Sequence, residues 1–158
     1  MSTYQVNQIA DWFLASIDRE AGDTISHLKL QKLMYYTQAW SLAINGKRLF
    51  YEDFEAWTHG PVLPSLWHRF KEFGWDSIPP EAIISTGEIS TEDEKLLSDI
   101  LNSYGDLSGQ HLEELTHSET PWREARGNIP IEVSSNQIIS KELMREYYQK
   151  LYEETDDE

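Results

Sequence analysis

The stretch Ser26-His27-Leu28-Lys29-Leu30-Gln31-Lys32-Leu33-Met34-Tyr35-Tyr36-Thr37-Gln38-Ala39-Trp40-Ser41-Leu42-Ala43-Ile44-Asn45-Gly46 decides the fold. Ser26 offers a side-chain acceptor to the first turn of a helix, and Asn45-Gly46 supplies a left-handed stop. Between them Leu28, Leu30, Leu33, Met34, Tyr35, Tyr36, Ala39, Trp40, Leu42, Ala43 and Ile44 cover more than one helical face. A helix that is apolar around most of its circumference is packed on several sides, so this segment is predicted to be the buried centre of the domain.

Other helices surround it in the sequence. Toward the N-terminus, Val6, Ile9, Ala10, Phe13, Leu14 and Ile17 recur at helical spacing behind Ser2 or Thr3 as cap, and Ala21-Gly22-Asp23 makes a turn. Toward the C-terminus, Arg48 to Thr58 is rich in aromatics and reads equally as a short extended segment or an irregular loop. Gly60-Pro61-Val62-Leu63-Pro64 forbids regular helix, because each proline lacks a donor and pushes the preceding residue toward an extended conformation. Ser65 restarts a helix carrying Leu66, Trp67, Phe70 and Phe73, which closes over Gly74 to Pro80. Ser90 with Asp93 resembles a capping box ahead of Leu96, Leu97, Ile100, Leu101 and Tyr104, and Gly105 ends that run. Ser108 is placed to cap a helix reaching about His117, with Leu107 and Leu112 at staple spacing. Thr120-Pro121-Trp122 gives another start, with proline at the first helical position, and Gly127 gives the stop. Asn128 to Ile139 reads as loop with a short extended piece at Ile131 to Val133, before a closing helix behind Ser140 that bears Leu143, Met144, Tyr147, Tyr148 and Leu151. The expected fold is mainly α: a compact single-domain helical bundle around a buried central helix, with at most short extended segments.

Composition bounds the function. The 158 residues include 39% hydrophobic and 12% aromatic residues, enough for one folded domain. No apolar run approaches the roughly 18–20 residues of a membrane span, and the N-terminus lacks the layout of a secretory signal, so a cytoplasmic location is expected. The absence of cysteine removes disulfides, thiolate nucleophiles and cysteine-ligated zinc. With 13 Lys+Arg against 28 Asp+Glu the net charge is −15, which speaks against direct nucleic-acid binding. The last six residues, Glu153-Glu154-Thr155-Asp156-Asp157-Glu158, are expected to form an acidic, disordered tail.

The templates of catalysis each miss a residue they require. Gly105-Asp106-Leu107-Ser108-Gly109 has neither the Walker lysine nor the dinucleotide fingerprint. The histidines stand at 27, 59, 68, 111 and 117, and His111 and His117 do not share a helix face as zinc ligands four apart would. No Gly-x-Ser-x-Gly elbow is present, and Glu113-Glu114 reads as a wet helix face. Neither catalytic nor metal nor cofactor residues are assigned.

Two dense clusters remain: Glu55-Ala56-Trp57-Thr58-His59-Gly60-Pro61-Val62-Leu63-Pro64, and Leu115-Thr116-His117-Ser118-Glu119-Thr120-Pro121-Trp122-Arg123-Glu124-Ala125-Arg126. Taken in order with Leu28 to Tyr36 and Trp40, they resemble the Panacea family, the SocA-like antitoxin domain, over roughly residues 5 to 152. The resemblance implies one antitoxin domain, residues 1–152, from a bacterial or prophage toxin–antitoxin module. Its partner would be a cognate toxin encoded by the adjacent gene, neutralised by direct binding and without enzymatic turnover. Two alternatives stay open: a proteolytic adaptor delivering the toxin to a protease, and a phage-encoded acidic protein that mimics DNA toward a host enzyme.

Trp57, Trp67 and Trp122 are expected in the core, and His59 and His117 on backbone groups. For the recognition edge the sequence offers the proline-stiffened Thr58-His59-Gly60-Pro61 loop and Trp75, whose place in the turn Gly74-Trp75-Asp76 gives a large ring little reason to be inside. An acidic surface of this kind steers a basic partner, so association is expected to slow with salt.

Overall fold

The computed structural model describes residues 3–84 and 87–156, with side chains described as far as Glu154. Met1, Ser2 (one of the two expected caps of the first helix), Ser85, Thr86 and the last two acidic residues of the expected tail lie outside the described residues. The architecture is mainly α, with seven α-helices and one two-stranded sheet among the described residues. In chain order the elements are α1 (Val6–Ser16), α2 (His27–Trp40), β1 (Glu55–Trp57), β2 (Gly60–Val62), α3 (Pro64–Phe70), α4 (Thr91–Tyr104), α5 (Gly109–His117), α6 (Thr120–Arg126) and α7 (Lys141–Asp156).

Helix α2 is the hub. Ser26 Oγ accepts from Lys29 N at 3.2 Å, and the helix packs against α1, α3, α4, α5, α7 and β2. Its end loosens into a π turn over Ser41–Asn45, where Ser41 Oγ donates to Lys47 O at 2.8 Å and α7 packs, before Gly46 takes the left-handed conformation. The core combines Leu30, Leu33, Met34, Tyr35 and Tyr36 of α2 with Phe13, Phe50, Phe54 and Tyr148 from around it.

Encirclement on all sides buries polar residues of α2 as well, and these are put to use. Gln31 and Gln38 stand two turns apart on one face. Gln38 accepts from Leu49 N at 2.7 Å and donates to Phe50 O at 2.8 Å; Gln31 accepts from Leu63 N at 2.8 Å and donates to Leu63 O at 3.1 Å. Two side-chain amides thus satisfy buried backbone groups of a segment that has almost no sheet to satisfy them.

The aromatic stretch resolves into a loop plus β1, which pairs antiparallel with β2 in the register Glu55↔Val62, Ala56↔Pro61 and Trp57↔Gly60. Pro61 is tolerated because Ala56 N donates the other way, to Gln137 O at 2.8 Å, so the Ala56↔Pro61 pair is one that needs no donor from proline. On that far side Glu55 bridges Ile138, and Ile139 N donates to Phe54 O at 2.8 Å.

Several boundaries differ from expectation. Helix α1 is capped by Gln5, whose N–H donates to Gln8 Oε1 at 2.9 Å, and not from Thr3, because Tyr4 N is already fixed to Leu49 O at 2.7 Å. Helix α3 begins on Pro64 and passes at Lys71–Phe73 into a 3-10 turn. In α6 the cap position falls to Glu119 and Thr120 is the first helical residue, one position earlier than expected; the Glu119 carboxylate, engaged by tyrosines, makes no side-chain cap. Ile131 to Val133 is a turn closed by Val133 N to Pro130 O at 3.0 Å; the extended contact sits at Ile138 instead. Helix α7 continues to Asp156, into the segment expected as tail. Among the described residues no helix is long and apolar enough to cross a membrane.

Candidate functional site

The β1–β2 hairpin is held in place from below by α2 and from the side by α5 and α6. Gly60 has φ +105°, and a Cβ there would lie 2.6 Å from Lys32 Cε and 3.0 Å from Thr116 Oγ1. Only glycine fits both the backbone conformation and the space. Lys32 is fully buried, its Nζ 3.5 Å from Pro61 O, and burial pushes its pKa down to about 8 against the opposing charge of Glu113.

From the other side, Trp122 Nε1 donates to Trp57 O at 2.9 Å, and Arg126 donates to Ala56 O at 3.2 Å, Pro130 O at 2.7 Å and Val133 O at 2.6 Å. His117 stacks on Trp122 with ring centres 4.0 Å apart, and Arg126 lies 5.3 Å over the same ring. Burial lowers the His117 pKa, with Glu113 and the Thr58 backbone opposing. The His117–Trp122–Arg126 series is therefore the buttress of the hairpin. Trp122, only 6% exposed, belongs to the core as expected.

A second buried polar group locks the bundle. Tyr36 and Tyr148 hydroxyls donate to Glu119 Oε1 at 2.7 and 2.8 Å, the Tyr35 and Tyr148 hydroxyls are 3.1 Å apart, and Tyr36 stacks on Tyr104 at 4.2 Å. Burial pushes the Glu119 pKa up, while the two tyrosine bonds work against that. This ties α2, the start of α6 and α7 together.

What the buttressed hairpin presents is a cleft of about 470 Å³ between the start of α2, the hairpin and the turn after α3. Trp57 and Trp67 border it with ring centres 5.6 Å apart at 59°, joined by Leu28 and Val62. Both tryptophans are half-buried cleft residues and not core residues, contrary to expectation. Trp57 Nε1 donates to Glu55 Oε1 at 2.9 Å, and Lys71 Nζ stands 5.2 Å from the Trp67 ring centre. Trp75, 75% exposed, forms the lip. Its ring meets the His59 imidazole edge-on at 6.2 Å, and His59 Nδ1 is 2.8 Å from Glu113 Oε1, a side-chain partner where a backbone one was expected.

Of the five residues expected at a recognition edge, Thr58, His59 and Trp75 border this one cleft, although Trp75 lies far from the other two in sequence. Gly60 and Pro61 are buried behind it and set the hairpin's shape. Sequence reading missed His27 and Leu28 of the cleft; their only signal was position, just inside a capped helix. A larger, more open depression of about 610 Å³ lies beyond α6, beside Arg123, Asn128 and Ile131. Among the described residues no group of three or more His, Asp or Glu could hold a metal ion.

The fold is a helical bundle that carries a buttressed, ring-lined hairpin face. A family model described as Antitoxin SocA-like, Panacea domain, matches residues 30–123, more than half of the chain. The chain belongs to this family. No curated protein and no solved structure matches it.

Proposed function

We propose that the protein is the antitoxin of a toxin–antitoxin module and neutralises its toxin by binding it directly, without turnover, through the hairpin face around Thr58, His59 and Trp75. Membership of the family carries this reading, since the matched residues 30–123 contain the hairpin, Trp75 and the buttress as far as Arg123. Two physical features support the choice of face. A tryptophan 75% exposed on a turn is the type of ring that dominates binding energy when a partner covers it. The hairpin is preorganised by buried bonds to Trp122 and Arg126, which lowers the entropy lost on docking. The partner is the product of the adjacent gene, and a net charge of −15 steers a basic one. Growth rescue tests this: co-expression should restore growth to cells making the neighbouring product, and Trp75→Ala should abolish rescue while the melting temperature is kept. Rescue that survives loss of both Trp75 and His59 side chains would move the binding face elsewhere.

A further inference from the structure

Two buried cations help to fasten the hairpin. Lys32 of α2 lies beneath Gly60 with its Nζ 3.5 Å from Pro61 O, and Arg126 of α6 donates to Ala56 O at 3.2 Å. Both act on the ring of His117 in α5, which stacks on Trp122 at 4.0 Å and is hydrogen-bonded by the Thr58 backbone. The other ring nitrogen of interest, His117 Nε2, is sealed from solvent and has no hydrogen-bond partner among the described residues. A neutral imidazole can leave one nitrogen bare as an acceptor, whereas an imidazolium carries a donor on each and needs an acceptor for both. The carboxylate that acts on His117, Glu113 of the same helix, is already engaged by His59 Nδ1 of the hairpin at 2.8 Å.

We propose that the hairpin seat is an acid-sensitive latch, in which a proton on His117 Nε2 releases the β1–β2 hairpin from α5 and α6 and so withdraws Thr58 and His59 from the binding face. The added charge would stand unpaired beside Lys32 and Arg126. Those cations and Trp122 are the groups that hold Pro61 O, Ala56 O and Trp57 O, so the repulsion is relieved by parting the contacts that seat the hairpin. The sign of the pH dependence follows. Burial, Lys32 and Arg126 hold the His117 pKa below its ordinary 6.5, with Glu113 and the Thr58 backbone opposing. The released state therefore binds more protons than the seated one below that value, and the seat weakens as pH falls through it. His27, the other imidazole under the influence of Lys32, is depressed by burial and by that charge and acts in the same sense.

The test is an NMR titration of the full chain from about pH 8 to about pH 5, following the C2–H of each histidine and the Nε1–H of Trp122. The Trp122 resonance should leave its hydrogen-bonded position with the midpoint of His117, below 6.5. His117→Phe, which keeps a ring on Trp122 and takes no proton, should abolish that movement. Should it fail to fold, two variants of opposite sign decide: Lys32→Met should raise the midpoint and Glu113→Gln lower it, each by about half a unit. A Trp122 resonance that stays fixed down to about pH 5, that follows His27 or His59 instead, or that still moves in His117→Phe would overturn the latch, as would shifts of the wrong sign in the two charge variants. That opening silences the protein rests on the antitoxin reading. The native chain should bind the adjacent gene product at least about tenfold more weakly at about pH 5.5 than at about pH 7.5, and His117→Phe equally at both. Failure to bind at the higher pH counts against that reading, while the resonances of the chain alone decide the latch.

Discussion

Replacing Trp122 by alanine removes the ring that connects the hairpin to α6. The ring is 6% exposed, stacks on His117 at 4.0 Å, lies under the Arg126 guanidinium and donates to Trp57 O at 2.9 Å. Truncation of a buried tryptophan to alanine costs about 3–5 kcal/mol. The Trp57 carbonyl loses its donor as well, adding about 1 kcal/mol. A total of about 4–6 kcal/mol is a large fraction of the roughly 5–15 kcal/mol by which a domain is stable. For a chain of this size each kcal/mol shifts the melting temperature by about 2–4 °C, so Trp122→Ala should melt at least about 10 °C lower by circular dichroism. Trp122→Phe keeps a ring for the stack and loses only the donor, and should fall by about 3 °C. A Trp122→Ala protein that melts within about 2 °C of the native chain would refute the buttress and move Trp122 to a partner-facing role.

Three further predictions rest on the same support. Gly60→Ala places a Cβ 2.6 Å from Lys32 Cε at a φ of +105° and should lose about 2–4 kcal/mol in a urea titration; an unchanged midpoint would mean that Lys32 swings aside and the hairpin is not tightly seated. The unfolded Lys32 keeps its proton up to its ordinary value of 10.5, whereas the folded one releases it from about 8, so the unfolded state binds more protons between these values and stability rises with pH across that window by about 3 kcal/mol. The buried tyrosines, pushed upward, act in the opposite sense above pH 10, so the comparison is with Lys32→Met, in which the rise from pH 8 to 10 should vanish; identical pH profiles would show that Lys32 is not buried while charged. Gln31→Leu leaves the Leu63 N–H buried without a partner, while Leu63 O keeps Leu66 N and Trp67 N, and should speed hydrogen exchange at the Leu63 amide by orders of magnitude; retained protection would mean that another group takes over.

The helical framework was legible because its signals are local. Ser26, Ser90 and Ser108 each accept from the backbone three residues on, as their spacing implied, and Gly46, Gly74 and Gly127 end helices or turns at positive φ. What sequence could not give was the partner of each buried polar group. Gln31, Lys32 and Gln38 lie inside an otherwise apolar pattern, and nothing nearby in the chain says that Leu63, Pro61 and Leu49 will meet them. The tryptophans show the same limit: Trp57, Trp67 and Trp122 are alike as residue types, yet contacts made across the fold bury the third and leave the other two beside a cleft. The short extended piece was misplaced to Ile131 for a related reason, since strand pairing with Glu55 is decided by the partner and not by the apolar residues themselves. The Thr58–Pro61 loop and Trp75 are separate turn signals in the sequence, and only the turn after α3 sets the Trp75 ring against His59.

The most direct test of the binding account is a comparison of dissociation constants for the purified product of the adjacent gene. Native chain, Trp75→Ala and Tyr51→Ala would be measured side by side, Tyr51 being an equally exposed ring that does not border the cleft. The account predicts at least about a tenfold loss for Trp75→Ala, no change for Tyr51→Ala, and melting temperatures within about 1 °C of native for both. Equal affinity of all three, or failure of the native chain to bind that product, would contradict it.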